Sequence, residues 1–278
     1  MSTAADIGQK VARLIGEFFP WGERDYPPRP GPATPELLAG AVRRWLEEQT
    51  RLFRHAALAL LARVEPVLRE AEQALPADER PRLFARIDLS ALVKSPDGIL
   101  DKMVRDWSPE TGAAPGLNFR NFKSELGDLG RFRIVTNFLS DADEIAKVLA
   151  APFQAPAAQP LTAAQIALRD DFLIGKEGFK DAIRLMPGAR PTGERSFKGV
   201  FFPRQAGSKD LKVEVQVQTM LQEAWDKKDH FLVYEPRRRG QEPDPQHVRE
   251  MFAMSELLYV ADLTFERLRE AVLARRRS

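Results

Sequence analysis

Apolar residues recur at helical spacing mainly in the first and last thirds of the chain. They predict a helix over 4–18 and a long helix over 35–74, with Thr34 as the expected N-cap and Pro35 as the first helical residue. Pro66 is expected to kink or break the long helix. Further helical patterns occur at 79–93, 97–106, 140–149, 219–234 and 246–275.

β-branched and aromatic residues concentrate in the centre of the chain. The segment 131–138 predicts a strand, and Ser140 is the expected N-cap of the helix that follows it. Two more strands are predicted at 196–203 and 211–218, with a loop around Gly207 between them. The order of helices, a strand-rich centre and helices predicts an α+β (mixed) fold with helical N- and C-terminal extensions.

The composition restricts the chemistry that the chain can perform. Its 278 residues include no cysteine and only three histidines, His55, His230 and His247, which are all far apart in sequence. Thiolate metal sites, disulfides, cysteine nucleophiles and histidine-pair zinc helices are therefore excluded. Any metal must be bound mainly by oxygen ligands, which favours magnesium.

Charge and hydropathy indicate a cytoplasmic protein that does not enter membranes. The 42 basic and 40 acidic residues nearly balance, which is not typical of a dedicated nucleic-acid binder. The longest apolar run, 56–62, is far too short to cross a bilayer. The N-terminal residues do not show the pattern of a standard secretory signal.

The alternating segment from Lys212 to Thr219 is the most informative part of the sequence. Strand geometry sends three valines to one face and Lys212, Glu214, Gln216 and Gln218 to the other. An ordinary half-exposed strand would show the same pattern. The helix predicted directly after it carries Trp225 and His230, which favours the alternative that the polar face lines a site.

Four motifs occur in order along the chain. The first three are Lys94-Ser95-Pro96…Lys102, Asp128-Leu-Gly-Arg-Phe-Arg133, and Lys180-Asp181…Gly193-Glu194-Arg195-Ser196. The fourth is Glu214-Val-Gln216-Val-Gln218-Thr219 followed by Ala224-Trp225 and His230. Together they resemble the synthetase domain of the RelA/SpoT family, whose last motif is EIQIRT…AW…H, and the resemblance covers about residues 85–265.

The resemblance implies a nucleotidyltransferase-like central mixed sheet flanked by helices. It implies transfer of the β,γ-pyrophosphate of ATP to the ribose 3′-hydroxyl of GDP or GTP, with Mg²⁺ as cofactor. Asp128 and Glu214 would be the catalytic and metal-binding carboxylates, Glu214 acting as a ligand or as the base. The implied phosphate-binding residues are Lys94, Lys102, Arg133 and Lys180, and those on the acceptor side are Glu194, Arg195, Lys198, Gln216 and His230.

Three expectations concern the organisation of the chain. The chain is divided into a helical N-terminal region with a proline-rich arm (1–80), a synthetase domain (81–265), and the end of the last helix with a basic tail (266–278). Because Asp128 and Arg133 are five residues apart, Asp128 must precede the strand or lie at a bulge near Gly130. The C-terminal helices are expected to be able to form a homo-oligomer, as in small members of the family.

The sequence departs from the family pattern at several motif positions. Glu194 stands where the family has the tyrosine that stacks on guanine, and no tyrosine of this chain (26, 234 or 259) lies there. Two of the family's arginines are replaced, by Leu92 and Gln218. The other departures are Gly98, Lys198, and the early glycine Gly130, which leaves Arg131 at its usual place.

Three functions therefore remain open at the level of the sequence. The first is synthesis of (p)ppGpp from ATP and a guanosine nucleotide. The second is pyrophosphate transfer to another acceptor, such as an adenosine nucleotide or the 3′ end of tRNA. The reason for this hypothesis is the presence of Glu194 and of the cationic Arg195 and Lys198. The third is a catalytically silent nucleotide-binding module.

Overall fold

The computed structural model describes residues 4–31, 33–76, 83–105, 107–154, 160–184, 193–204, 210–238, 241 and 243–277. The helices in these ranges are α1 (Ala4–Arg13), α2 (Pro35–Ala74), α3 (Pro96–Val104), α4 (Phe122–Glu125), α5 (Leu139–Ala150), α6 (Ala163–Asp171), α7 (Met220–Asp229), α8 (Glu235–Arg238) and α9 (Pro245–Arg277). The strands are β1 (Arg86–Asp88), β2 (Gly130–Thr136), β3 (Phe172–Asp181), β4 (Phe197–Pro203) and β5 (Val213–Thr219). Two π-helical turns, Leu14–Phe18 and His230–Tyr234, continue α1 and α7.

The five strands form one mixed sheet in the order β1-β2-β5-β4-β3. The two central strands, β2 and β5, are parallel, and every other neighbouring pair is antiparallel. Parallel strands need a long crossover between them, and here it contains α5, α6, β3 and β4. The α+β (mixed) fold predicted from the sequence is confirmed.

The 40-residue helix α2 contributes to both hydrophobic clusters of the protein. Its second half packs against α5, α6 and the apolar face of the sheet, where Val213, Val215 and Val217 are fully buried. Its first half packs against α3, the π-helical turn after α1 and the segment before β2. Apolar burial of this kind is the main favourable term in folding, so α2 ties the sheet to the N-terminal helices.

Gly130 lets α2 approach the start of β2 more closely than any other residue would. A Cβ at this position would lie 2.8 Å from the carbonyl oxygen of Phe53 on α2. That contact is with backbone and cannot be relieved by a side-chain rotation. The early glycine of the motif therefore has a packing role, and β2 begins at it, so that Asp128 precedes the strand as expected.

Most of the predicted elements are confirmed. The helices at both ends are present, and the hydroxyl of Thr34 accepts the backbone N–H of Leu37 as the N-cap of α2. The strands predicted at 131–138, 196–203 and 211–218 are also present. Pro66 does not break α2, which continues through it as one helix. The loop predicted around Gly207 lies outside the described residues.

The helix predicted over 79–93 is wrong for the described residues from 83 onward. This segment is extended and contains β1. Its backbone is held along the edge of β2, since the N–H of Ala85 donates to the carbonyl of Val135 and that of Arg131 donates to the carbonyl of Leu92. Pairing with β2 outweighs the weak helical periodicity, as tertiary context commonly does.

Two further differences concern the centre of the chain. Ser140 is not the N-cap of α5, because the helix begins at Leu139 and the serine hydroxyl donates to Glu266 on α9 instead. The sequence did not predict α6 and β3. The signal for α6 was present, because Thr162 and Gln165 form a capping box at its start.

The last helix, α9, exposes a row of large apolar side chains, among them Leu257, Leu263 and Leu268. No described helix is long and apolar enough to cross a membrane. The division of the chain at residues 80 and 265 stays a prediction.

Candidate active site

A cleft of about 710 Å³ opens on the polar face of the sheet. Strands β2, β4 and β5 form its floor, and α3 and α7 with its π-helical turn form two of its walls. The N-terminal helix α1 forms another wall. The charged and polar side chains that line it are Lys10, Lys94, Asp101, Lys102, Arg105, Asp128, Arg131, Arg133, Glu194, Lys198, Glu214, Gln216, Asp226, Asp229, His230 and Tyr234.

Strand register explains why the floor of the cleft is polar. Arg131 and Arg133 on β2 lie opposite Glu214 and Gln216 on β5, and Lys198 on β4 also lies opposite Gln216. Side chains alternate across a sheet, so all five project to the same face. The valines between the β5 residues project to the opposite face and anchor the strand in the core. The polar face of β5 therefore lines a cleft, which agrees with the interpretation that this face belongs to a site rather than to an ordinary half-exposed strand.

Asp128 lies at the end of the cleft nearest α3 and is surrounded by cations. Its carboxylate accepts from the Nζ atoms of Lys94 at 2.8 Å and Lys102 at 3.0 Å, and the guanidinium of Arg131 lies 3.8 Å away. Burial acts to raise the pKa of Asp128, but the two lysines outweigh it and hold the pKa well below its usual value. Burial also lowers the pKa of Lys94, against the attraction of Asp128. Asp128 is thus a permanent anion that orients two cations.

A chain of hydrogen bonds runs across the floor from Glu214 to α7. The Nε2 of Gln216 donates to Glu214 at 2.7 Å, and its Oε1 accepts from the Nε of Arg133 at 2.9 Å. Arg133 continues to Asp226 with an N–O distance of 2.8 Å. Burial raises the pKa values of both Glu214 and Asp226, and positive neighbours, Lys198 and Arg133 respectively, oppose the shift. Gln216 therefore fixes the orientation of both Glu214 and Arg133.

Glu194 and Lys198 form an ion pair at the β4 side of the cleft, with an N–O distance of 2.8 Å. Burial acts to lower the pKa of Lys198, but Glu194 and Glu214 outweigh it and raise the pKa. The loop before β4 packs tightly on α7, since a Cβ at Gly193 would fall 2.4 Å from the ring of Trp225. Trp225 is itself buried and donates to the carbonyl of Met251 at 2.7 Å. This tryptophan thus supports the floor by packing.

The π-helical turn after α7 brings two aromatic rings to the mouth of the cleft. The rings of His230 and Tyr234 are 4.8 Å apart. The hydroxyl of Tyr234 accepts from Arg105 at 3.0 Å and donates to Asp101 at 3.3 Å, and Arg105 and Asp101 also pair directly at 2.9 Å. This network joins α3 to the turn and so connects two walls of the cleft.

The structure brings nine of the eleven predicted site residues into this one cleft. They are Lys94, Lys102, Asp128, Arg133, Glu194, Lys198, Glu214, Gln216 and His230. Lys180 lies outside the lining, as an exposed residue of β3 opposite Lys198.

Arg195, the other exception, does not reach the cleft. It is only 2% exposed and lies on the far side of the loop before β4. Its guanidinium pairs with Glu256 on α9 at 2.5 Å, donates to the carbonyl of Ile183 and stacks on Tyr259. Adjacent residues of an extended segment point in opposite directions, so Glu194 enters the cleft and Arg195 cannot. The position of Arg195 indicates a structural role in place of the acceptor-binding one implied by the motif.

Several cleft residues were missed by the motif comparison. Arg131 was recognisable from alternation with Arg133, which places both on the same face of β2. Asp226 follows Trp225 on a predicted helix, and nothing else in the sequence indicated that its side chain faces the cleft. Arg105, Tyr234 and Lys10 reach the cleft only through tertiary packing, which sequence patterns do not encode.

Asp128 and Glu214 are the carboxylates that fit a divalent cation. Arg131 lies opposite Glu214 in the sheet, and its guanidinium is 3.8 Å from Asp128, so the two carboxylates lie at the same part of the cleft. Burial raises the pKa of Glu214, and the charge of Asp128 acts in the same direction. A divalent cation between them would favour the charged form of both. Among the described residues no group of three or more metal-binding side chains occurs. Two carboxylates, supplemented by substrate phosphates and water, match the usual coordination of Mg²⁺.

Comparison with known proteins gives a match at the level of the fold. No protein-family model and no curated protein matches the sequence. Among solved structures, small alarmone synthetase 2 from Bacillus subtilis superposes with a TM-score of 0.56 at 18% identity, covering 81% of this chain and 98% of that one. Small alarmone synthetase 1 from the same organism, bound to its product pppGpp, gives 0.58 at 18% identity over 83% and 99%.

A GTP pyrophosphokinase family protein from Streptococcus pneumoniae gives a TM-score of 0.57 at 17% identity, covering 82% of this chain and 94% of that one. All three likenesses span nearly the whole of the solved chains. The protein therefore has the fold of the small alarmone synthetases, which confirms the fold that the motifs implied. At this level of identity the sequence is strongly divergent.

Proposed function

We propose that the protein is a magnesium-dependent pyrophosphokinase that transfers the β,γ-pyrophosphate of ATP to the ribose 3′-hydroxyl of a guanosine nucleotide. The observation that carries this proposal is the convergence of two carboxylates, Asp128 and Glu214, with Lys94, Lys102 and Arg133 in one cleft of about 710 Å³. Phosphoryl-group transfer depends mainly on positioning and charge neutralisation, which this set of side chains supplies. The likeness to an alarmone synthetase bound to pppGpp supports nucleotide substrates.

Each group has a defined task in the proposed reaction. Asp128 and Glu214 would hold Mg²⁺, which would neutralise charge on the transferred group. Lys94 and Lys102 lie within hydrogen-bond reach of Asp128 and so face the phosphates bound beside it. The acceptor oxygen bonds to the β-phosphorus, the bond from that phosphorus to the bridging α,β-oxygen breaks, and AMP leaves with this oxygen. The hydroxyl proton passes to a base in the cleft, for which Glu214 is the candidate.

The first test is a transfer assay with a matched carboxylate variant. Purified protein is incubated with γ-labelled ATP, GDP or GTP, and Mg²⁺, and labelled guanosine tetra- or pentaphosphate is expected. Asp128→Asn preserves the shape of the side chain but removes its charge, so we expect a loss of activity of about 100-fold or more. Label that never leaves ATP, at any magnesium concentration, would contradict the proposal. Nucleotide binding without transfer would indicate a silent binding module.

A second candidate function is transfer to a non-guanine acceptor, such as an adenosine nucleotide or the 3′ end of tRNA. The observation in its favour is the Glu194–Lys198 ion pair, which lies where the resemblance would place a guanine-stacking tyrosine. A carboxylate paired with an ammonium group offers charge and hydrogen bonds but no stacking surface. Parallel assays with GDP, ATP alone and tRNA distinguish the two functions by the acceptor that becomes labelled.

A further inference from the structure

Three cationic side chains share one carboxylate at the α3 end of the cleft. The Nζ atoms of Lys94 and Lys102 lie 2.8 and 3.0 Å from the carboxylate oxygens of Asp128, and a guanidinium nitrogen of Arg131 lies 3.8 Å from the same group. Lys94 is buried, and the other three side chains are half-buried. These four side chains are called the Asp128 cluster below. Because three positive charges face one negative charge, the cluster has an excess of positive charge.

Backbone pairing brings the members of the Asp128 cluster together. The N–H of Lys94 donates to the carbonyl of Leu129 at 2.9 Å, and the N–H of Arg131 donates to the carbonyl of Leu92 at 3.0 Å. These bonds join the segment before α3 to the start of β2. Lys102 reaches the same point from the last turn of α3. The positive charges are therefore held close to one another by the fold of the main chain.

The cations of the Asp128 cluster repel one another. Burial is the main cause that lowers the pKa of Lys94, and the charges of Lys102 and Arg131 act in the same direction, whereas Asp128 opposes them. Repulsion between like charges is stronger in a half-buried site than in water, because the surroundings screen it less. A further anion at the cluster would relieve this repulsion. The empty cleft therefore favours a polyanion at this position.

The same cations oppose a metal ion at Asp128 in the empty cleft. One carboxylate oxygen accepts from Lys94 and the other accepts from Lys102, so both oxygens are engaged. Arg131 lies opposite Glu214 in the sheet and so stands on the side of the second proposed metal ligand. A divalent cation would have to enter among three positive charges and displace ammonium groups from the carboxylate.

We propose that the Asp128 cluster binds the polyphosphate of the nucleotide before any metal ion is bound, and that the phosphates release Asp128 to act as a metal ligand. This inference rests on the proposed function, which supplies the nucleotide. Phosphate oxygens can accept the hydrogen bonds that Lys94 and Lys102 donate to Asp128 in the empty cleft, and their charge offsets the excess of positive charge. Binding therefore has an order, because the carboxylate becomes available only after its ammonium partners turn to the phosphates.

The first test applies two probes separately to the full chain. Inorganic tripolyphosphate is titrated calorimetrically in the presence of EDTA, and Mn²⁺ is titrated in a phosphate-free buffer and followed by electron paramagnetic resonance. We expect tripolyphosphate to bind without metal. We expect Mn²⁺ alone to give the same titration with the parent protein and with Asp128→Asn, because Asp128 is engaged by cations. Tighter binding of Mn²⁺ to the parent protein, or no metal-free binding of tripolyphosphate, would overturn the inference.

The second test uses Asp128→Asn as a variant that gains affinity. The substitution removes the anion that competes with the phosphates, so tripolyphosphate in EDTA should bind about 10-fold more tightly than to the parent protein. Lys102→Gln should weaken this binding by about 10-fold, because a charge-assisted hydrogen bond is lost. Asp170→Asn is the matched control, since it changes the net charge equally at an exposed position near the end of α6. An affinity in Asp128→Asn that is equal to or weaker than that of the parent protein would contradict the proposal.

Both tests are independent of transfer, so their failure is distinguishable from failure of the proposed function. Metal-free binding of tripolyphosphate that tightens in Asp128→Asn, in a protein that labels no acceptor, would remove the proposed function and leave the cluster a polyphosphate site. Transfer activity in a protein whose Asp128 binds Mn²⁺ in the absence of phosphate would do the reverse.

Discussion

At the scale of single residues, the neighbours Glu194 and Arg195 have different roles, because one side chain lines the cleft and the other is buried in the protein. Glu194 pairs with Lys198 in the cleft, whereas Arg195 is buried behind it. The guanidinium of Arg195 is held by Glu256, by a backbone carbonyl and by the face of Tyr259. A buried cation of this kind is tolerated only because its partners are in place. The loop that presents Glu194 therefore depends on Arg195.

This dependence gives a stability prediction. Arg195→Ala removes the partner of Glu256 and the donor to the carbonyl of Ile183, and it should lower the free energy of unfolding by about 1–3 kcal/mol, measured by urea denaturation. Arg43→Ala is the control, because Arg43 forms an exposed pair with Asp97 and its loss should cost about 0–1 kcal/mol. Equal effects of the two substitutions would show that Arg195 does not hold the loop.

Residue patterns predicted the floor of the cleft better than its walls. Glu214, Gln216 and Arg133 follow from strand alternation and from the motifs, because a floor made of strands has a period of two that is visible in the sequence. Arg105 and Tyr234 are 129 residues apart and meet only because α3 and the π-helical turn pack together. No local pattern carries that information.

At the scale of elements, the junction between α2 and β2 positions Asp128, the proposed metal ligand. Gly130 begins β2 two residues after Asp128 and lies against the backbone of α2. The strand can start there only because glycine has no side chain. The motif comparison found the glycine one position early, and the close approach of Phe53 explains why it stands there.

The junction can be tested by adding one methyl group. Gly130→Ala forces α2 and β2 apart, and we expect it to lower the free energy of unfolding by about 1–3 kcal/mol. Gly116→Ala is the matched control, since Gly116 is exposed and a Cβ there meets nothing within 4 Å. Thermal unfolding of both variants, with transfer activity as a second readout, makes the comparison. A Gly130→Ala variant as stable as Gly116→Ala would contradict the close packing.

Two of the elements that the sequence did not predict, β1 and β3, take their conformation from neighbouring strands. The edge strand β1 is three residues long and takes its extended shape from β2. Strand β3 contains two glycines and a register shift against β4, so its alternation is irregular. By contrast, α2 and α9 are long, and the apolar periodicity of α2 is repeated over many turns.

At the scale of the whole molecule, α9 is notable because several of its large apolar side chains are exposed. Leu257 and Leu268 are 62% and 58% exposed and lie almost in line along the helix, since eleven residues are close to three turns. A row of this length is typical of an interaction surface. Assembly through the C-terminal helix, expected from the family resemblance, stays a prediction with this row as its candidate seam.

A double variant tests the assembly. If copies of the chain associate through α9, Leu257→Glu combined with Leu268→Glu should reduce the mass in solution to that of a monomer, because the charges would be buried at the seam. Multi-angle light scattering after gel filtration measures the mass. Glu270→Ala, on the same helix, should leave it unchanged. A parent protein that is already monomeric at high concentration would exclude the assembly.

The long helix α2 has a consequence for how the cleft works. At 1.5 Å per residue it is about 60 Å long, and it packs against the sheet with one half and against α3 with the other. The floor of the cleft belongs to the sheet, while Lys102 and Arg105 on the opposite wall belong to α3 and the residue that follows it. The spacing between Glu214 on the floor and Lys102 on the wall is therefore maintained by one continuous helix, and bending that helix would change the spacing on which the proposed transfer depends.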